Sequence, residues 1–354
     1  MGMPSVSISF TEKAITAVKR GERGVVAMII KDENVPDTNP VVCLSNEDVP
    51  TTLSESNKEQ IKLALMGYVK MPKKVIVYVL GTDAEDYSAS LDKLKTIKFD
   101  YLVAPTASTD NVTSDIVFYV KSQRAEGKLI KAVLPNVTGD NEGIINYATA
   151  NVYADGKEYT TEQYCSRIAG IIAGTPINIS CTYAPLSELT DCSRLTKEEM
   201  DTAVDSGKFI VWFDGEKVKT ARGVNSLTTT TQDKGDSFKK IKIVEAMDMI
   251  TDDIKKTAED SYLGKYANSY DNKCLLISAI GNYFDQLKMD GVVSRYSIGI
   301  DIDANRSYLK GKGTDTESMS DDDIKVADTG SFVFLKATVK ILDAIEDIVL
   351  PISL

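Results

Sequence analysis

Histidine is absent from this 354-residue sequence, and with it goes the one side chain whose unperturbed pKa lies near neutrality. Ser-His-Asp, Cys-His and His-ligated metal mechanisms are thereby excluded. Cysteine is scarce. Cys43, Cys165, Cys181, Cys192 and Cys274 form no C-x-x-C pair, and a count of five argues against a disulfide framework. They read as reduced thiols of a protein made in the cytoplasm. Long apolar runs are missing too: stretches such as Val75 to Leu80 fall far short of the roughly 18 to 20 residues a membrane span needs. Met1 to Phe10 has no basic region followed by an apolar signal core, so synthesis without export is expected. Nor is there an excess of positive charge. The formal net charge of -11 would repel nucleic acid or an anionic membrane, so neither is an expected partner.

What is present describes a folded, water-facing protein. Apolar residues make up 43% and charged residues 26%, which sets aside disorder and fibrous repeats. The length suffices for two ordinary domains or one with a large insertion. Residues 5–10 alternate strictly and place Val6, Ile8 and Phe10 on one side, a short strand tethered by the polar stretch Thr11 to Gly24. From Val25 to about Gly174, strand-like runs at 25–30, 75–80, 101–104 and 129–134 alternate with helix-like stretches at 57–70, 86–96, 113–126 and 161–173. That order predicts a largely parallel, covered α/β sheet, with a hairpin insertion near 144–160. Pro185 to Thr196 reads as a boundary, because Thr196 with Glu199 three residues on opens a fresh helix. Beyond it come strands at 208–213 and 217–222, helices at about 236–260 and 272–289, and a β pair around 292–309. Polar, acid-rich residues 311–330 then lead to an amphipathic strand with Val333, Leu335, Ala337, Val339 and Ile341 on one face. The apolar run Ile348 to Leu354 follows, confined by Pro351 to an edge or to one-sided pairing. The expected organisation is an arm over 1–23, an α/β domain over 24–190, a second, α+β domain over 191–342 and a second arm over 343–354.

Both ends are apolar strands set off from the body, and unpaired strand amides need a partner. Strand addition to another subunit would supply backbone hydrogen bonds at roughly 0.5 to 1.5 kcal/mol each and burial of Ile8, Phe10 or Ile352 at roughly 1.5 to 3 kcal/mol apiece. Pairing of the two ends with each other, or with the chain's own sheet, satisfies the same pattern, and periodicity does not choose between them.

Catalytic signatures are weak. Three S-x-x-K matches, at Ser90, Ser237 and Ser307, lack the S-D-N and K-T-G elements that give such a match meaning. Asp301 and Asp303 lie two apart on an expected strand and could approach a cation, though an exposed edge gives the same spacing. The acid run Asp321 to Asp323 reads as a solvated helix start. No G-x-x-x-x-G-K-[ST] occurs, and no G-x-G-x-x-G follows a strand. A nucleotide at a sheet switch point remains the enzyme-class alternative.

The stretch Arg20-Gly21-Glu22-Arg23-Gly24-Val25-Val26-Ala27 resembles the N-terminal part of contractile tail sheath subunits. The tail from Ala327-Asp328-Thr329-Gly330 through Phe332-Val333-Phe334 to Asp343-Ala344-Ile345-Glu346-Asp347-Ile348 resembles their C-terminal part. These are the sheaths of Gram-positive phages, prophages and R-type, phage-tail-like bacteriocins such as diffocin. Tyr283-Phe284 and the region Asp301 to Leu309 are also similar, while residues from about 35 to 190 match mainly in α/β character. The resemblance implies a two-module tail-sheath fold with extended N- and C-terminal β-strand arms. It implies a non-enzymatic subunit without a cofactor, stacked as hexameric rings around a tail tube, whose contraction drives the tube through a bacterial envelope. The arms, with Val6, Ile8 and Phe10 at one end and Ile348, Val349, Leu350, Ile352 and Leu354 at the other, would enter a neighbour's sheet and keep subunits linked while they move. Implied partners are further copies, the tail tube protein, and the baseplate and tail terminator proteins. A tube contact is expected near 272–295, with Lys273, Lys288 and Arg295 meeting acidic tube residues; solvated surface charges would look the same. The implied location is the bacterial cytoplasm during assembly, then a virion tail or extracellular particle. A type VI-like secretion sheath is the alternative, disfavoured because that machine divides its sheath between two proteins.

Overall fold

Near-continuous apolar runs mark strands that are covered on both faces, and four such runs form the centre of a parallel sheet. A computed structural model describes residues 17–353. The expected strand carrying Val6, Ile8 and Phe10 lies outside the described residues, as does Leu354. The described residues divide into two compact units: residues 21–249 with 343–353, and residues 17–20 with 250–342.

The first unit contains β1 (Val25–Lys31), β2 (Val41–Cys43), α1 (Glu55–Leu65), β3 (Lys74–Leu80), α2 (Ser88–Leu94), β4 (Tyr101–Val103), α3 (Thr113–Ala125), β5 (Lys131–Pro135) and β6 (Ile144–Tyr147). It continues with β7 (Asn151–Ala154), β8 (Lys157–Thr160), α4 (Thr161–Ala173), β9 (Asp191–Cys192), α5 (Lys197–Asp205), β10 (Lys208–Phe209), β11 (Val211–Phe213) and β12 (Val218–Thr220). Seven strands form one sheet in the order β10-β6-β5-β4-β1-β3-β2, parallel except for β2. Ala27 stands between Ile76 and Leu102. Val26, Met28 and Ile30 face α1 and α4, whereas Val25, Ala27 and Ile29 face α2 and α3. The helices on the first face approach closely: a Cβ on Gly170 would sit 2.2 Å from the Ala64 carbonyl oxygen.

One expectation about this unit changes. Residues 144–147 do not belong to the hairpin; they pair with β5 and extend the main sheet, leaving β7 and β8 to turn at Asp155-Gly156. Past residue 190 the chain stays within this unit by strand pairing, because β10 joins the sheet edge beside β6, β9 pairs with β7, and Phe209 is fully buried. Thr196 does open a helix, α5, through a reciprocal cap with Glu199.

The chain passes between units within α6 (Ile241–Ser261). Its opening turns are held to the sheet by a buried ionic cluster. Both terminal nitrogens of Arg124 bond Asp248, at 3.0 and 3.1 Å, and Lys131 bonds the same carboxylate at 2.9 Å and Glu245 at 2.8 Å. Burial alone would raise the Asp248 carboxyl, but Lys131 and Arg124 outweigh it and hold it below the usual range. Burial pushes the Lys131 ammonium down.

The second unit holds α7 (Tyr270–Met289), β13 (Val293–Ile300), α8 (Ile302–Gly311), α9 (Asp321–Val326) and β14 (Leu335–Ile341). β13 and β14 pair antiparallel, with Ile298 opposite Ala337, and α7 supplies a core of Ala279, Ile280, Tyr283, Phe284 and Leu287. The expected second strand before 309 is a helix instead. Asp301 caps it by accepting from the Ala304 amide at 3.0 Å, and the buried side chains, Asn305 and Leu309, recur at helical spacing. Asp301 and Asp303 therefore do not share a strand face. The acid-rich stretch 311–330 is also packed. Arg306 donates to the Thr316 carbonyl at 2.7 Å and Asp321 at 2.9 Å, and Ile324 is fully buried. Among the described residues, no helix is long and apolar enough to cross a membrane.

Candidate assembly interface

β14 ends at Ile341, the Leu342 amide completes the ladder onto the Val292 carbonyl at 2.8 Å, and the chain then runs on without joining any strand among the described residues. Its first residues are anchored. Lys240 bonds Asp343 and, at 3.0 Å, Glu346; the Thr182 hydroxyl donates to the other Glu346 oxygen at 2.5 Å; Arg222 bonds Asp347 at 2.6 Å. The Glu346 side chain is nearly fully buried. Burial would lower the Lys240 ammonium, but its hydrogen bonds to Asp343 and Glu346 prevail and raise it.

Beyond this root the polarity inverts. Ile348, Val349, Leu350 and Ile352 are 82%, 92%, 73% and 76% exposed. An apolar segment held in water by an ionic anchor leaves its amides and side chains available to a partner. The second unit carries a matching element: β13 and β14 form a two-stranded sheet, so each strand has one edge without a ladder partner among the described residues. Short sheets of this kind gain from further strands.

The residues expected to meet a tube are placed differently from one another. Lys288 in the last turn of α7 and Arg295 on β13 are exposed. Lys273 is only 4% exposed, and its ammonium donates to the Thr329 hydroxyl at 3.2 Å; burial lowers its pKa. The anchor residues Thr182, Arg222 and Lys240 carried no local sequence signal, since they stand more than 100 positions from the acids they bind. The switch point between β1 and β4, where a doubly wound sheet would hold a nucleotide, is occupied by a self-satisfied cluster. Lys31 meets Asp110 at 3.0 Å, and the Tyr87 hydroxyl bonds Asp110 at 2.6 Å and Thr106 at 3.0 Å.

Residues 81–226 match the family described as phage tail sheath protein central domain, and residues 233–354 that described as phage tail sheath C-terminal domain. Over 353 residues the chain is 38% identical to the tail sheath protein of Clostridium phage phiCD119, covering 98% of each. The chain belongs to the phage tail sheath family. As a sheath protein it is structural rather than catalytic. Its fold is that of solved sheath chains. The sheath tail protein of Desulfitobacterium hafniense superposes with a TM-score of 0.72 at 20% identity, over 84% of this chain and 94% of that one. The helical sheath of the anti-feeding prophage in its contracted state gives 0.70 at 17% identity, over 100% and 99%.

Proposed function

We propose that this sheath protein polymerises as stacked hexameric rings around a tail tube, and that the segment after Asp347 lies as an added strand on the β13–β14 sheet of an adjacent copy. The observation that carries this reading is the exposed apolar run from Ile348 to Ile352 beyond a buried ionic root. Strand addition would pair its amides and cover its side chains while the root stays fixed to its own body. The N-terminal segment with Val6, Ile8 and Phe10 makes the corresponding link at the other end. Subunits joined by strands on connectors move as rigid bodies without losing their links, so contraction needs no nucleotide. Lys288 and Arg295 face the tube, and the assembled sheath meets baseplate and tail terminator proteins at its ends, after assembly in the bacterial cytoplasm. Purified full-length protein should form long tubes or helical polymers in negative-stain electron microscopy. A protein that stays monomeric at every concentration would refute the reading.

A further inference from the structure

Two patches on opposite faces of the seven-stranded sheet, both within the unit of residues 21–249, are opposite in charge and each carries exposed apolar side chains. The first is the turn between α1 and β3. Gly67 has φ +63°, and a Cβ there would sit 2.0 Å from the Lys70 carbonyl oxygen, so glycine alone closes the turn without strain. The Tyr68 amide donates to the Lys70 carbonyl at 3.1 Å, the Lys70 amide to the Gly174 carbonyl at 3.2 Å, and the Arg167 guanidinium to the Gly67 carbonyl at 2.5 Å. Held in this way, the turn presents Met66, Val69 and Met71 about half exposed to solvent. The exposed ammonium groups of Lys62, Lys70 and Lys73 flank them, Lys73 lying 3.5 Å from the exposed Glu22. A pinned protrusion of this kind loses little freedom on docking.

The second patch is a groove of about 290 Å³ between α2 and α3. Phe118 stands in it 75% exposed, and the buried Tyr119 hydroxyl has no hydrogen-bond partner. Four carboxylates, from Asp86, Asp92, Asp115 and Glu126, line the groove against the ammonium of Lys95, which pairs with Asp92 at 2.7 Å. An aromatic anchor ringed by negative charge suits a partner that is apolar at its tip and cationic at its sides. The turn on the other face has that chemistry.

We propose that the Met66–Lys73 turn of one copy docks into the Phe118 groove of the next. Because the two patches occupy different faces, the contact is head to tail and propagates into rings or helices instead of closing as a dimer. This rests on the sheath reading above but uses neither chain end.

The test uses the full-length protein with two double variants, K70E/K73E in the turn and D115K/E126K in the groove. Each alone should raise the concentration at which polymer sediments by at least about tenfold, because like charges then face one another. An equimolar mixture should polymerise near the wild-type concentration, since each reversed turn finds a reversed groove. Variants that polymerise like wild type, or a mixture that fails to recover although both proteins melt normally, would overturn the proposal. A disulfide between copies carrying Met71→Cys and copies carrying Phe118→Cys, in a Cys274→Ser background, reads the same contact without altering charge. Its formation in polymer supports the contact and its absence overturns it. Wild-type chains that never polymerise would instead overturn the sheath reading itself.

Discussion

Removing residues 348–354 should separate folding from assembly. In the isolated subunit Ile348, Val349, Leu350 and Ile352 are largely exposed and join no ladder, so the truncation removes almost no packing. Stability should change by less than roughly 0.5 kcal/mol, about one or two degrees of Tm for a body of this size. Polymerisation should respond far more. As an extended strand the segment places Ile348, Leu350 and Ile352 on one face, and burying three such side chains against a neighbour stabilises by roughly 1.5 to 3 kcal/mol each. Backbone pairing adds about 0.5 to 1.5 kcal/mol per hydrogen bond, while ordering the segment costs about 1 to 2 kcal/mol per residue. The ordering cost offsets much of this gain, and each 1.4 kcal/mol that survives it is about tenfold in the concentration needed to polymerise, so the truncated chain should need at least about tenfold more protein. Sedimentation of polymer across a concentration series, paired with thermal melting of the monomer, reads both quantities. A truncated chain that polymerises at the wild-type concentration refutes the strand-addition role. A monomer that melts several degrees lower refutes the premise, because the segment would then be packed on its own body.

The anchor can be tested separately. Glu346→Ala removes the nearly buried carboxylate that meets Lys240, Arg222 and Thr182, and should cost about 1 to 3 kcal/mol in chemical denaturation, with polymer lost in parallel; unchanged stability would mean the contacts contribute nothing. Asp248→Ala leaves Lys131 and Arg124 buried beside each other and should cost roughly 3 to 5 kcal/mol near neutral pH. The Asp248 carboxyl is held below its usual range in the folded state, so its contribution is present above the unfolded carboxylate pKa of about 3.9 and fades as pH falls through the folded value. The stability gap between Asp248→Ala and wild type should therefore narrow on acidification, and a gap independent of pH would contradict the assigned pairing.

Much of the sheet was readable because its strands are covered on both faces. Val25–Lys31 and Lys74–Leu80 have almost no polar residue to confuse their limits, and Thr161–Ala173 combines a cap with helical spacing. Residues 301–309 suit either period, because Ile302, Ala304 and Tyr308 fall at even spacing while Ile302, Asn305 and Leu309 fall at helical spacing, and the Asp301 cap settles the matter only once the Ala304 amide is in place. The anchored root was not readable, since Lys240 and Glu346 lie more than 100 residues apart and look like ordinary surface charges.

The amino-acid sequence alone determined the chemistry open to this protein: no histidine, too few cysteines for a framework, a covered parallel sheet, and an apolar segment after an acidic one. These follow from residue type and local periodicity, which fix what a side chain can do and which neighbours share its face. Tertiary structure decided what covers each face. It turned Lys273 inward onto Thr329, joined β10 to the sheet edge beside β6, and left Ile348 to Ile352 in water beyond a salt-bridged root. Burial depends on which distant segments arrive in space, and that information is not contained in any local stretch of the chain.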